Sequence, residues 1–161
     1  MRKQILSLSI LGLIILAACS RPPMQEQEKA SLPLSNSPPI DLNRALAEAN
    51  AENKLVLLDF TGSDWCPPCI QMEKAIFSSP EFQVYAEEKL VFLSVDFPLK
   101  FRLSPEANAS NNRLAQQFKV DGPPTLIALD GEGKTILRHI GPYETPQELI
   151  DALADAKAKA K

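Results

Sequence analysis

The stretch that decides the fold is Leu55-Val56-Leu57-Leu58-Asp59-Phe60, followed across the short turn Thr61-Gly62-Ser63-Asp64 by Trp65-Cys66-Pro67-Pro68-Cys69. The apolar run reads as a buried strand. Prolines 67 and 68 suit the first turn of a helix, where no amide donor is needed. Two cysteines three positions apart therefore stand where a buried strand gives way to a helix. There they can close a disulfide, and the unpaired N–H groups and partial positive charge of the helix N-terminus stabilise the thiolate of the first. A structural disulfide and half of a zinc site are the other readings of this spacing. Zinc needs two more ligands, and beyond the pair the chain has only Cys19 and a single histidine, His139. The balance points to redox chemistry.

Outward from this stretch the elements alternate. A helix is expected at about 41–53, the strand at 55–60, a helix at 67–76 continuing after Pro80 to about 88, and a strand at 90–96. A loop follows, then a helix near 107–119, a strand at 125–130, the turn Asp130-Gly131-Glu132-Gly133, and a strand at 134–140. Thr145 is a plausible N-cap for a last helix from Pro146 to about 158. Strand–helix–strand units argue for a parallel pair and the final turn for an antiparallel hairpin, so the sheet is mixed and the fold a three-layer α/β/α sandwich. With 161 residues there is room for one such domain plus appendages.

The appendages are N-terminal. Met1-Arg2-Lys3 followed by apolar Ile5 to Leu16 has the basic start and short apolar core of an export signal. It ends in Leu16-Ala17-Ala18-Cys19, which resembles the lipobox of bacterial lipoproteins, whose cysteine is acylated and becomes the new N-terminus. Ordinary signal cleavage is the alternative, but Leu16 stands where that site prefers a small residue. The expected division is a signal over 1–18, a lipid anchor and disordered tether over 19–39, and one domain over 40–161. The tether carries Pro22, Pro23, Pro33, Pro38 and Pro39 and little periodic apolar content. About 20 such residues would hold the domain on the order of 25 Å or more from a membrane. Removal of residues 1–18 lowers Lys+Arg from 17 to 15 against 20 Asp+Glu, so the formal charge moves from −3 to −5. Nothing basic points to nucleic acid. With Cys19 acylated no odd thiol remains, and the pair would work outside the cytoplasm, where disulfides persist.

The order of elements, the Trp-Cys-x-x-Cys after the first buried strand, and Gly122-Pro123-Pro124-Thr125 before a later one resemble thioredoxin over most of residues 40–158. The run from Cys66 to Glu81, with Glu73, Phe77, Ser78 and Pro80 spaced as C-x-x-C-x-x-x-E-x-x-x-F-S-x-P, is similar to the C-terminal periplasmic domain of the thiol:disulfide interchange reductase and related exported thioredoxin-like proteins. The resemblance implies a thiol-disulfide oxidoreductase that needs no cofactor or metal, with protein disulfides as substrates and an upstream thiol as electron donor. A monomer is the expected state.

Cys66, nearer the helix start, is expected to be the more exposed and more acidic attacking thiol, and Cys69 the resolving one. Trp65 either shields the site and offers an apolar surface to partner chains or packs in the core. Asp59 interrupts an apolar strand, and a buried carboxylate needs a reason. The resemblance supplies one: an acid at this point exchanges protons with the second cysteine. The spacing to the cysteines is one residue longer than in thioredoxin, and a half-exposed strand end is the alternative. Glu73, four residues after Cys69, shares its helix face and either tunes the pair, as the resemblance implies, or is a solvated acid. The resemblance makes Pro124 the cis-proline packed against the dithiol, and an ordinary turn proline is the alternative. Pro123 departs from the pattern, because it has no N–H to offer a bound partner and leaves binding to side chains or its carbonyl. The loop Phe97-Pro98-Leu99-Lys100-Phe101-Arg102 either lines the site or covers the surface. His139 is given no role.

Two functions compete on these residues. One is an exported, lipid-anchored thiol-disulfide oxidoreductase of reductase type, with oxidase and isomerase as variants of the same chemistry. The other is a lipoprotein that carries copper(I) on the Cys66/Cys69 dithiol, which would leave Asp59 and Pro124 idle.

Overall fold

The computed structural model describes residues 33–35 and 37–160. The expected signal, Cys19 and most of the tether lie outside the described residues. The elements run α1 (Leu42–Glu52), β1 (Leu55–Thr61), α2 (Pro67–Met72) with a wider π turn over Glu73–Phe77, α3 (Pro80–Lys89), β2 (Leu90–Asp96), α4 (Pro105–Gln117), β3 (Thr125–Leu129), β4 (Thr135–Ile140) and α5 (Pro146–Lys159). Side-chain caps fix where the helices start. Asp41, Ser79, Ser104 and Thr145 each accept an amide N–H three residues on. Pro80, Pro105 and Pro146 each follow such a cap, at the first helical position, where a proline costs no hydrogen bond.

The sheet has the order β2-β1-β3-β4, with β1 parallel to β2 and antiparallel to β3, and β3 antiparallel to β4. The sandwich with a mixed sheet is therefore the observed fold. Every residue of central β1 is buried, as a strand covered on both faces requires. Alternation along it sends Leu55 and Leu57 to one face, where they meet Met72, Ile76 and Phe77, Phe82 of α3, and Leu149 and Leu153 of α5. Val56, Leu58 and Phe60 go to the other, against Ala45 and Ala49 of α1 and Leu114 of α4.

Three local readings change. The helix expected over 67–76 keeps α-geometry only to Met72, after which Ser78 N–H reaches back five residues to the Glu73 carbonyl at 2.9 Å. The fourth helix begins at Pro105 rather than 107, because Ser104 caps it. The domain edge also reaches into the tether: Ser35 N–H bonds the Arg102 carbonyl at 2.7 Å, and Arg102 N–H bonds the Pro33 carbonyl at 2.8 Å. Residues 33–35 are thus paired with the 97–103 loop, contrary to a tether disordered through residue 39.

Candidate active site

Cys66 and Cys69 form a disulfide with their Cα atoms 5.3 Å apart, an ordinary span for such a bond. Cys66 is the N-cap of α2, and its Sγ accepts the Cys69 amide N–H at 3.3 Å. This is the interaction that favours a thiolate at a helix start. The expected difference in exposure is absent, since both residues are 3% exposed in the oxidised form. The closed disulfide packs both sulfurs into the junction. What separates the two cysteines is the amide aimed at the Cys66 sulfur.

Asp59 is buried at 4% exposure, which sets aside the half-exposed strand end. Alternation puts it on the face of Leu55 and Leu57, the face α2 covers. Its carboxyl is pushed up from 3.8 to about 7, first by burial and then by the negative charges of Glu73 and Asp96. Glu73 is exposed, yet close enough in charge to act on Asp59, and Ser78 Oγ donates to its Oε1 at 3.4 Å. Asp59 and Glu73 are therefore brought together.

Trp65 is 40% exposed and so is no core residue. Its Nε1 donates to the Phe97 carbonyl at 2.7 Å. The ring lies so close over Gly62 that a Cβ there would meet the indole at 2.5 Å, so this position needs glycine. The Pro123–Pro124 bond is cis, as expected for Pro124. Thr125 Oγ1 closes that turn on the Gly122 carbonyl at 2.7 Å. His139 stacks on Tyr143 with ring centroids 4.0 Å apart, on the outer strand β4.

Two site residues escaped the sequence reading. Asp64 accepts the Leu99 amide N–H at 3.0 Å and the Lys100 amide N–H at 2.6 Å. Asp96 accepts the Ser63 N–H at 2.9 Å and the Ser63 Oγ–H at 2.6 Å. Together with Trp65, they tie the segment just before Cys66 to the 96–100 loop.

A family model for the thioredoxin-like domain matches residues 42–157, and the chain belongs to that family. Its Cys66–Cys69 pair is of the thiol-disulfide oxidoreductase type. The chain is 42% identical over 94 residues to the disulfide bond reductase DsbH of Chlamydia pneumoniae, covering 58% of this chain and 57% of that protein. It is 37% identical over 102 residues to the thiol:disulfide interchange protein DsbD 2 of Pseudomonas aeruginosa, covering 63% of this chain and 16% of that protein. The match thus spans little more than half of one relative and a small part of the other. Among solved structures, a DsbH oxidoreductase superposes with a TM-score of 0.62 at 34% identity over 75% of this chain and 87% of that one. The oxidised C-terminal domain of Neisseria meningitidis DsbD shares the fold, with a TM-score of 0.54 at 21% identity over 74% of this chain and 99% of that one.

Proposed function

We propose that this protein is an exported, lipid-anchored reductase of protein disulfides. The observation that carries the reading is a Cys-x-x-Cys pair at a helix N-terminus together with the buried Asp59 on the sheet face that this helix covers, in a chain similar to a protein named disulfide bond reductase. In the reduced protein the Cys66 thiolate attacks one sulfur of a substrate disulfide. The substrate S–S bond breaks, the second substrate sulfur leaves as a thiolate and takes a proton, and Cys66 is held in a mixed disulfide. Asp59 accepts the Cys69 proton, and Cys69 attacks the Cys66 sulfur and expels the first substrate sulfur, which is protonated in turn. Two electrons pass from the dithiol to the substrate, leaving the Cys66–Cys69 disulfide. An upstream thiol donor returns it to the dithiol.

What surrounds the pair supports flow in the reducing direction. Prolines 67 and 68 bring no positive charge to a thiolate, while Asp59 and Glu73 supply negative charge. Stabilising the reduced form is what makes a strong oxidant, and acids disfavour thiolate. The expected reduction potential is more negative than about −180 mV. Equilibration with a glutathione buffer measures it, and a value near the strong-oxidant level of about −120 mV would overturn the reductase direction while leaving the dithiol chemistry in place.

Anchoring rests on Leu16-Ala17-Ala18-Cys19, and Ser20 in the next position resembles lipoproteins passed on to the outer membrane in bacteria that have one. Among the described residues no helix is long and apolar enough to cross a membrane. Mass spectrometry of the mature protein should find Cys19 acylated at the N-terminus. An unmodified Cys19 would sink the anchor.

A further inference from the structure

Among the described residues five large hydrophobic side chains are exposed, and three of them, Leu34 at 56%, Trp65 at 40% and Leu99 at 63%, line one trough. The trough encloses about 840 Å³, with Phe97 and Phe101 also in its wall, within the size range of ligand clefts. Isolated exposed apolar residues need no explanation, but a cluster rimming a cleft marks a binding surface.

The walls are fixed before anything binds. Asp64 holds the Leu99 and Lys100 amides, Trp65 holds the Phe97 carbonyl, and Phe97 N–H bonds the Thr61 carbonyl at 2.9 Å. Leu34 is placed by its neighbours' pairing with Arg102. A preformed cleft avoids the ordering cost that weakens binding by mobile loops.

We propose that this trough is a substrate subsite that takes an apolar stretch of polypeptide flanking the disulfide to be reduced. This inference rests on the reductase reading above. The occupant follows from continuity with the reacting pair. Trp65 lines the trough and directly precedes Cys66, so a chain that delivers a sulfur to Cys66 has the trough within reach across the indole. Phe97 also lines a second, smaller depression of about 190 Å³ bounded by Gly122 and Pro123, so the trough and the cis-proline turn lie on either side of that one residue. Pro123 has no N–H to pair with an extended chain, and grip by apolar side chains takes over that task. The substrate class is an incompletely folded polypeptide that still exposes apolar residues beside a disulfide. Asp64 acts as a positioning residue that holds the Leu99 wall.

The test uses the full-length protein and two peptides with the same internal disulfide, flanked in one by Leu-Leu and in the other by Ser-Ser. The leucine peptide should be reduced with a kcat/KM about tenfold higher, equivalent to about 1.4 kcal/mol, the scale on which covering one exposed leucine counts. Leu99→Ser should bring the ratio toward one, and Leu34→Ser on the opposite wall should do so independently. Equal rates on both peptides would overturn the subsite and leave the reductase intact. Failure to reduce either peptide would overturn the reductase reading and the subsite with it. A dimer that Leu99→Ser dissociates would assign the trough to a second copy, and a preference that appears only after deletion of residues 20–32 would assign it to that segment. Either result overturns the proposal.

Discussion

Cys66→Ser is expected to reduce disulfide exchange to the uncatalysed background, whereas Cys69→Ser should still attack substrates and accumulate them as mixed disulfides through Cys66. The asymmetry comes from position on α2. Cys66 is the N-cap, and its sulfur accepts the Cys69 amide N–H at 3.3 Å. That contact and the positive end of the helix lower the cost of a thiolate there and make it the better nucleophile at neutral pH. Cys69 lies within the first turn, where its geometric reach is back to the Cys66 sulfur. The mixed disulfides can be captured by acid quenching and resolved on non-reducing gels. Alkylation of the reduced protein at limiting reagent gives an independent check: labelling of Cys69 ahead of Cys66 would reverse the two roles. The distinction is chemical and not one of exposure, since both residues are equally buried in the oxidised form.

What was readable in the sequence was carried by local pattern. The buried strand, the cysteine spacing, the prolines in the first helical turn and the Pro-Pro before β3 are each short stretches whose chemistry speaks without a partner. Asp59 was readable for a related reason, because one acid inside an apolar run stands out against its neighbours. The start of α4 was readable too, since Ser104-Pro105-Glu106 carries an N-cap followed by a first-turn proline, but periodicity alone drew the boundary two residues late. Asp64 and Asp96 were hidden. Their partners are backbone amides and a serine more than thirty positions away, and a backbone amide has no signature in the sequence. An acid in a turn beside glycine and serine reads as turn chemistry until the fold brings the 96–100 loop against it. The same holds for Trp65, whose partner is the Phe97 carbonyl, and for Pro33 and Ser35, which meet the backbone of Arg102. Composition marked that segment as tether, yet two hydrogen bonds sufficed to join it to the domain.

Asp59→Asn is expected to make the oxidised protein more stable at pH 8 and slower in turnover. The Asp59 carboxyl loses its proton near pH 3.8 in the unfolded chain and near pH 7 in the folded one. Between those values the folded state holds a proton that the unfolded state has lost, so stability falls as pH rises through the interval. The destabilisation is absent below about pH 4 and complete above about pH 7, where it amounts to about 4 kcal/mol if the unfolded chain titrates normally. Asparagine cannot ionise and removes that slope. The buried amide gives back part of the gain wherever it finds no hydrogen-bond partner. Urea midpoints of both proteins across pH 4.5 to 8 should therefore converge at the acid end and separate in favour of the variant at the alkaline end. The catalytic consequence has the opposite sign, because a carboxylate that titrates near 7 can take the Cys69 proton at working pH and an amide cannot. Resolution of a preformed Cys66 mixed disulfide should slow by about 10² or more, and its rate should lose the inflection near pH 7. Parallel urea curves at every pH would mean that Asp59 is ionised throughout, and an unchanged rate profile would remove it from the proton path.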